Sequence, residues 1–216
     1  MASPIVPVLK GPSGQGGVRL AIDFRYVNSF TPSDATALPH ICYAIQRVGS
    51  SSFITVVDAK SGYWQLNVRE CDRWLTGFIF GGNLYEWCRM PFGLRSACQT
   101  YCRCTEIILR PIRDFSFSYV DDMTVGSDRW NQHLLHVRSL LTEVKKSGLT
   151  LALNKCKFAH HEVRFIGHIV GSGRHRPDEQ KLAVIATLAN QQTKKEIRRM
   201  LGFFNFFIHT FRIWQS

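Results

Sequence analysis

Several features that would assign other classes of protein are missing from this sequence. No apolar run approaches the ~18 residues that a membrane-spanning helix needs. Residues 1–6 (Met-Ala-Ser-Pro-Ile-Val) lack the basic region and the long apolar stretch of a signal peptide. The seven cysteines follow neither a disulfide-scaffold pattern nor the paired Cys-x-x-Cys spacing of a zinc site. We therefore expect an intracellular protein with reduced thiols that is neither secreted nor bound in a membrane.

Acidic residues are also scarce relative to basic ones. The chain has 16 Asp and Glu against 27 Lys and Arg, which gives a formal net charge of +11. Such an excess favours polyanionic partners through counterion release, although charge alone does not separate a nucleic-acid binder from a generic basic protein. A hydrophobic content of 45% over 216 residues is enough for a sizeable core and excludes a disordered chain.

The order of the predicted elements mixes strands and helices without a regular βαβ alternation. Helical spacing predicts helices over 94–112 and 128–148, the second beginning at Asp128 and ending at Gly148. Further helices are predicted beyond residue 178. Strands are predicted at 5–9, 18–24, 52–58, 65–68, 76–80, 115–120, 123–125 and 163–170, the last one interrupted at Gly167-His168. This pattern is typical of an α+β domain with an antiparallel sheet.

Three aspartates lie at the ends of predicted apolar strands. Asp121 and Asp122 occupy a tight turn between two strands, and Asp58 ends the β-branched run 52–58. An isolated Asp-Asp pair is more often a solvated turn. If the two strands are neighbours, however, the three carboxylates meet, and such a cluster suits hard divalent cations. A pair of ions roughly 3.5–4 Å apart supports in-line phosphoryl displacement.

Six blocks of the sequence resemble, in order, those of reverse transcriptases from gypsy-type long-terminal-repeat retrotransposons. Residues 119–122 (Tyr-Val-Asp-Asp) are a form of the signature tetrapeptide, and 58–65 (Asp-Ala-Lys-Ser-Gly-Tyr-Trp-Gln) are similar to the palm motif with its aspartate. Residues 89–94 (Arg-Met-Pro-Phe-Gly-Leu) resemble the motif of the dNTP pocket. The other blocks are the fingers strand 18–28 and the segments 148–158 and 165–168. Six blocks in the family's order make chance agreement very rare.

The resemblance implies a right-hand polymerase fold, with an antiparallel palm sheet packed on helices. Fingers and palm are expected over residues 1–175, with the N-terminal fingers incomplete, and the start of a truncated helical thumb over 176–216. The chain is then a piece of a polyprotein whose RNase H and integrase regions lie elsewhere. The expected location is cytoplasmic, within a virus-like particle, and a nuclear role is left open.

The resemblance also implies an activity, namely an RNA-directed DNA polymerase that adds dNTPs to a primer 3′-hydroxyl on an RNA template. The primer would be DNA or tRNA. Carried over position by position, Asp58, Asp121 and Asp122, helped by the carbonyl of Ala59, would hold two Mg²⁺ ions, with Mn²⁺ as an alternative. Positioning and charge neutralisation would do most of the chemistry.

Other residues take roles from the same resemblance. Arg19 would contact the triphosphate, with Lys10 as a less certain companion, and Tyr63 would lie under the incoming sugar and exclude a 2′-hydroxyl. A core aromatic would fit the position of Tyr63 equally well. Gly167 and His168 match the primer grip, although a lone histidine such as His168 is more often structural. The predicted dNTP contacts are Lys10, Arg19, Ala59, Gly62, Tyr63, Phe92 and Gly93.

The sequence departs from the family pattern in three places, one of them Phe206-Phe207-Ile208-His209, where the family tends to have aromatics followed by arginine. Ser96-Ala97-Cys98 stands where the family usually has Asn-Ala-Pro, and the segment before Pro39 lacks the usual aromatic-proline pair. With the short thumb, these departures leave one alternative open: an inactive, truncated remnant of a retroelement that only binds nucleic acid through its charge.

Overall fold

A computed structural model describes residues 2–9, 17–34, 40–180, 193–194, 197–198 and 200–202, and for Arg19 the backbone alone. Lys10 and the side chain of Arg19 lie outside this description, as does most of the predicted thumb over 176–216. The strands are β1 (Ile5–Leu9), β2 (Val18–Ile22), β3 (Phe53–Asp58), β4 (Phe78–Phe80), β5 (Asn83–Tyr85), β6 (Ser116–Tyr119), β7 (Asp122–Ser127), β8 (Lys157–His160), β9 (Val163–Phe165), β10 (His168–Gly171) and β11 (Arg174–Pro177). The helices are α1 (Arg25–Phe30), α2 (Ile41–Gly49), α3 (Ala97–Leu109) and α4 (Trp130–Ser147).

A four-stranded antiparallel sheet, in the order β6-β7-β3-β8, forms the centre of the fold. Its inner strand β3 is the β-branched run that the sequence predicted, and its residues from Ile54 to Val57 are buried. Because β3 pairs with β7 over its whole length, Phe53 lies opposite Ser127 at one end and Asp58 opposite Asp122 at the other. The predicted antiparallel sheet of an α+β domain is therefore confirmed.

The two faces of this sheet pack against different layers, because side chains alternate along each strand. Val57, Met123 and Val125 belong to a core that includes residues of α3 and α4, such as Tyr101 and Leu140. On the opposite face, a second core joins β3 to α2 and to the three-stranded sheet β11-β10-β9. The second core consists of Ala44, Ile45, Val48, Ile54, Val56, Val163, Phe165 and Val170.

Two smaller hairpins, β1-β2 and β4-β5, extend from the central layers. They lie close to each other, since Ser3 forms an isolated bridge with Phe78 and its backbone N–H donates to the carbonyl of Gly77 at 2.7 Å. An apolar cavity of about 930 Å³ lies between the two hairpins, and its lining includes Leu20, Trp64 and Trp87. The strands β1 and β2 match the strands that the sequence predicted at 5–9 and 18–24, except that β2 ends at Ile22.

Several predicted boundaries are wrong. Residues 65–68 form no strand, because a 3₁₀ turn over Gly62–Gln65 precedes them and only one isolated bridge, Asn67 with Arg89, follows. Asp128 does not cap α4: Arg129 occupies that position and its side chain forms no capping hydrogen bond. The predicted end is confirmed, since Gly148 has a left-handed φ of 74°. The predicted interruption of the strand 163–170 is confirmed, but it falls at Ile166 and Gly167, between β9 and β10, so that His168 begins β10.

The described part of the chain contains no candidate for a membrane-spanning helix. None of its helices combines the length and the apolar composition that crossing a bilayer requires.

Candidate active site

The pairing of β3 with β7 brings two of the predicted carboxylates together. Asp58 and Asp122 are direct cross-strand partners at the end of the sheet, and Tyr119 pairs with Asp122 from the other side. Directly opposed residues in an antiparallel sheet have Cβ atoms about 4.5–5.5 Å apart and project from the same face. Two carboxylates in this position repel each other unless a cation or a proton compensates them.

Asp121 lies in the two-residue turn that joins β6 to β7. The residue before it, Val120, has a φ of 51°, which is rare for a β-branched side chain. Turns of this kind are usually built with glycine, so the valine carries backbone strain that the surrounding structure must hold in place. The strained turn places the exposed Asp121 next to the half-buried Asp122.

The electrostatics confirm that the three carboxylates act on one another. Burial, followed by the charges of Asp58 and Asp121, raises the pKa of Asp122 to about 6. Desolvation and then the charge of Asp58 raise the pKa of Asp121. Lys155 opposes both shifts, and its Nζ lies 3.4 Å from Oδ1 of Asp58. Lys157 also lowers the pKa of Asp122, and the two ammonium groups together compensate only part of this negative charge.

The donor set fits a hard divalent cation, but the side chains do not form a closed site. Within the described ranges, no three His, Cys, Asp or Glu side chains are gathered closely enough to hold a metal ion as they stand. Asp58 and Asp122 are nevertheless paired, Asp121 adjoins them, and all three offer the oxygen ligands that Mg²⁺ prefers.

The carbonyl of Ala59 is oriented suitably for the same place. The carbonyl of Asp58 accepts a hydrogen bond from Ala152, and the N–H of Lys60 donates to Thr150, so these two residues face the segment 150–152. Because backbone groups alternate in direction along an extended chain, the carbonyl of Ala59 points away from that segment, toward the side of β7.

The raised pKa of Asp122 predicts a pH-dependent stability. A folded-state pKa of about 6, above the usual 3.8, means that Asp122 favours folding below pH 3.8 and that this contribution is lost as the pH rises through about 6. In metal-free protein at pH 8, Asp122→Asn should therefore raise the free energy of unfolding by about 1–3 kcal/mol. The gain should shrink as the pH falls toward about 4. Chemical unfolding with EDTA at several pH values measures it.

The control for this measurement is Asp128→Asn, an exposed aspartate at the far end of β7. It should change stability by less than about 0.5 kcal/mol at any pH. An Asp122→Asn protein no more stable than the unaltered chain at pH 8 would contradict the electrostatic description.

Two residues assigned to the dNTP pocket by resemblance lie in contact next to the carboxylates. The rings of Tyr63 and Phe92 have centroids 5.2 Å apart, and Tyr63 also lies 5.4 Å from the ring of Tyr101. Burial, followed by a hydrogen bond with Cys98, raises the pKa of Tyr63, and the charge of Asp121 adds to this shift. Tyr63 therefore lies between the core and the carboxylates, half-buried rather than enclosed.

Gly62 is required by a close contact. A Cβ atom at this position would lie 2.7 Å from Cζ of Tyr101, a side chain that is completely buried. Only glycine therefore lets the 3₁₀ turn that carries Tyr63 approach α3 so closely. The structure thus gives Gly62 a packing role beside the place that the sequence assigned to nucleotide binding.

Sequence reasoning gave no role to Asn28 and Gln65, and both hold loops of this site. Asn28 donates to the carbonyl of Gly93 at 2.8 Å and accepts from the N–H of Arg95 at 2.8 Å, which fixes the loop that carries Phe92. Gln65 exchanges hydrogen bonds with Thr150 at 2.9 and 2.7 Å. The only sequence signal for a role was that Asn28 lies in the family block 18–28 and Gln65 in the block 58–65.

The residues assigned to the primer grip lie on the β9-β10 hairpin. Ile166 and Gly167 form its turn, both with positive φ values of 47° and 74°. His168 is fully buried and its Nδ1 lies 2.9 Å from the carbonyl oxygen of Ile166, an arrangement that favours a structural side chain. Phe165 of the same hairpin packs edge-on against Tyr119 at 6.3 Å. The hairpin therefore lies beside the strand that leads into Asp121.

Comparison with known sequences identifies relatives over most of the chain. Residues 8–170 match the family described as "Reverse transcriptase (RNA-dependent DNA polymerase)". The chain is 33% identical over 199 residues to the retrovirus-related Pol polyprotein from transposon 297 of Drosophila melanogaster, and the aligned region covers 92% of this chain and 19% of that protein. It is 31% identical over 195 residues to the corresponding polyprotein from transposon gypsy of the same species, with 90% and 19% covered. The chain thus spans about a fifth of the length of these relatives.

Solved structures with the same fold are also known. A foamy viral protease-reverse transcriptase in complex with double-stranded DNA superposes with a TM-score of 0.86 at 24% identity, covering 96% of this chain and 36% of that one. A second foamy viral structure, in complex with an RNA/DNA hybrid, gives a TM-score of 0.84 at 23% identity, covering 96% and 27%. This likeness confirms the predicted right-hand polymerase fold.

Proposed function

From the premise that this chain belongs to the reverse transcriptase family, as the reverse transcriptase domain of a retroelement polyprotein, we propose that it is itself a working RNA-directed DNA polymerase domain. It adds deoxynucleotides to the 3′-hydroxyl of a primer. The observation that carries this proposal is the pairing of Asp58 with Asp122, next to Asp121, at one end of the central sheet. A solvated turn would need no third carboxylate on the neighbouring strand.

Members of this family generally use divalent metal ions. In our proposal Asp58, Asp121, Asp122 and the carbonyl of Ala59 hold two Mg²⁺ ions, and Mn²⁺ can replace them. When bound, the ions activate the primer hydroxyl and neutralise the charge that develops on the phosphates. The pKa values of Asp121 and Asp122 are raised by burial and then by repulsion between the carboxylates, and a bound cation would offset both costs, which supports the proposal.

The chain's own residues supply orientation. Tyr63 and Phe92 are in contact beside the carboxylates and would bind the sugar and base, with Gly62 and Gly93 giving the backbone room. Gly167, with its positive φ, and His168 would support the primer terminus from the β9-β10 hairpin. Arg19 and Lys10 remain proposed triphosphate contacts that rest on the sequence resemblance alone. Holding reactants in line in this way is the main catalytic task in nucleotidyl transfer.

The proposed partners are an RNA template, a DNA or tRNA primer and dNTPs. The two foamy viral proteins were solved in complex with double-stranded DNA and with an RNA/DNA hybrid, and the net charge of +11 of this chain suits such polyanions. RNase H and integrase regions would belong to the complete polyprotein. We place the domain in the cytoplasm, within a virus-like particle; the free thiols of its cysteines fit a reducing compartment.

Primer extension tests the proposed function. The full chain is incubated with dNTPs and a labelled DNA primer annealed to an RNA template or to a DNA template of the same sequence. We expect extension on RNA with Mg²⁺ or Mn²⁺ and none with EDTA. Salt-sensitive binding of the primer–template without extension under either metal would instead support the second candidate, a non-enzymatic nucleic-acid binder, which the net charge favours.

Selection of the sugar provides a more specific prediction. Tyr63→Val removes the ring that contacts Phe92 and should raise ribonucleotide incorporation relative to deoxynucleotide incorporation by roughly 10- to 100-fold. Tyr63→Phe is the matched control, since it keeps the ring and should keep the selectivity. The ratio of kcat/KM for dNTP and rNTP measures the effect. An unchanged ratio in the valine variant would assign Tyr63 to the core alone.

A further inference from the structure

The side chain of Gln65 joins two segments of the backbone beside the candidate active site. Its amide nitrogen donates to the carbonyl of Lys60 at 2.7 Å and to the carbonyl of Thr150 at 2.9 Å. Its Oε1 accepts from the N–H of Thr150 at 2.7 Å. The side chain thus uses both amide hydrogens and its oxygen on backbone groups, as a residue in a sheet ladder uses its own backbone. Gln65 therefore takes the place of a strand pairing that the 3₁₀ turn interrupts.

The chain that follows β3 is held by few backbone contacts in the described part of the protein. β3 ends at Asp58, and Ala59 then forms an isolated bridge. Two backbone hydrogen bonds of 2.9 Å, one on each side of this bridge, join residues 58–60 to 150–152. The two bonds between Gln65 and Thr150 double the hydrogen bonding at this place.

The third bond of Gln65 closes the connector between β3 and the 3₁₀ turn into a loop. Within this connector Ser61 has a left-handed φ of 53°, which is rare for a residue other than glycine. The bond from Gln65 to Lys60 spans Ser61 and holds it in this conformation. Without the bond, the connector is free to relax toward a more favourable backbone.

We propose that Gln65 is a positioning residue that sets the affinity of the candidate active site for divalent cations. Two of the proposed metal ligands, Asp58 and the carbonyl of Ala59, lie on the stretch that Gln65 fixes, and Asp58 pairs with Asp122 on its other side. Groups that hold metal ligands in place typically change metal affinity or activity by about 10- to 100-fold when they are lost. This role deepens the proposed function and rests on it, since it takes these groups to be metal ligands.

Binding of Mn²⁺ to the metal-free chain tests the role of Gln65. The electron paramagnetic resonance signal of free Mn²⁺ gives the dissociation constant without any nucleotide addition. Gln65→Met keeps the approximate length of the side chain and removes its three hydrogen bonds, so the dissociation constant should rise roughly tenfold or more. Asp121→Asn should weaken the same binding at least as much, which identifies the site.

Asn67→Ala is the matched control. Asn67 is exposed and lies two residues beyond Gln65, and alanine keeps the backbone bridge that Asn67 forms with Arg89. The dissociation constant of Mn²⁺ should stay within about twofold of that of the unaltered chain.

A second variant decides the question if methionine prevents folding, which circular dichroism would show. Gln65→Asn is one methylene shorter and cannot reach both Lys60 and Thr150, so the dissociation constant should rise by roughly threefold or more. A folded variant of Gln65, methionine or asparagine, that binds Mn²⁺ as tightly as the unaltered chain would overturn the proposal.

The metal dependence of primer extension separates positioning from a mere loss of folded protein. Fewer folded molecules would lower the rate equally at every Mg²⁺ concentration. Weaker metal binding in the Gln65→Met protein should instead raise the Mg²⁺ concentration for half-maximal rate roughly tenfold, and excess Mg²⁺ should restore most of the rate. Affinity for the primer–template should stay unchanged. A deficit that excess Mg²⁺ does not relieve would contradict a positioning role.

Amide hydrogen exchange in metal-free protein locates the effect. In the Gln65→Met protein, exchange should be roughly tenfold faster in peptides that cover residues 58–65 and 148–153, with no change in peptides of β7. Unchanged exchange in the first two peptides would show that Gln65 does not hold the connector.

These measurements distinguish the role of Gln65 from the proposed function. A chain that binds Mn²⁺ but never extends a primer would refute the proposed function, while the dissociation constants would still decide the role of Gln65. A chain that extends primers and keeps its Mn²⁺ affinity in the Gln65→Met protein would refute the role of Gln65 alone. A chain that binds no Mn²⁺ would refute both.

Discussion

Replacing Asp121 by asparagine is expected to reduce primer extension by roughly 10³-fold or more. Asparagine keeps the size of the side chain and one oxygen but removes the charge that a divalent cation requires. Asp121 is exposed, so the substitution leaves no buried group unsatisfied and the fold should persist. Loss of about 4 kcal/mol of charge stabilisation in the transition state accounts for an effect of this size. Single-turnover insertion of one nucleotide on an RNA template measures it.

Binding of the primer–template provides the internal comparison for this variant. Affinity at fixed salt should stay equal or rise slightly, because a negative charge near the phosphate backbone has been removed. Asp128→Asn, at the other end of β7, is the matched control and should retain full activity. An Asp121→Asn protein within about tenfold of the unaltered rate would contradict a catalytic role for this carboxylate.

Replacing Tyr101 by alanine is expected to lower the free energy of unfolding by about 3–5 kcal/mol. Tyr101 is completely buried in the core between the central sheet and the helices α3 and α4. It also contacts the ring of Tyr63 and fills the space beside Gly62. A cavity at this place would remove the support of the Tyr63 turn as well as apolar contacts. Guanidinium unfolding followed by circular dichroism measures the loss.

The phenylalanine variant separates packing from hydrogen bonding. Within the part of the chain that the structure describes, the hydroxyl of Tyr101 is buried without a hydrogen-bond partner. Tyr101→Phe should therefore leave the free energy of unfolding unchanged or raise it by about 1 kcal/mol. A phenylalanine variant destabilised as much as the alanine variant would show that the hydroxyl, and not the ring, holds this core together.

The palm strands and the carboxylates could be predicted from the sequence because their signals are local. The β-branched run that forms β3 and the alternating residues that form β6 can each be recognised as a strand from a few neighbouring residues. The position of Asp58 opposite Asp122 is different, since it depends on which strands become neighbours. From the sequence, the carboxylates could be predicted to meet only if the two strands were neighbours. The family resemblance supplied the expectation that they are.

Contacts between distant residues could not be predicted in the same way. Gln65 reads as a strand residue, yet its side chain bonds to the backbone of Lys60 and Thr150, which holds a 3₁₀ turn instead. The close approach of Gly62 to Tyr101 leaves no periodic signal either, because one glycine fits many backbone conformations.

The central claim is that Asp58, Asp121 and Asp122 form one divalent-cation site. Iron-dependent cleavage of the backbone tests it directly: Fe²⁺ replaces Mg²⁺ in a complex with a dideoxy-terminated primer, template and dNTP, and ascorbate with peroxide then generates hydroxyl radicals at the bound ion. We predict two main cuts, near Asp58 and near residues 121–122, both suppressed by excess Mg²⁺ and absent in the Asp121→Asn protein. Cuts elsewhere in the chain, or cuts that persist without Asp121, would contradict the account.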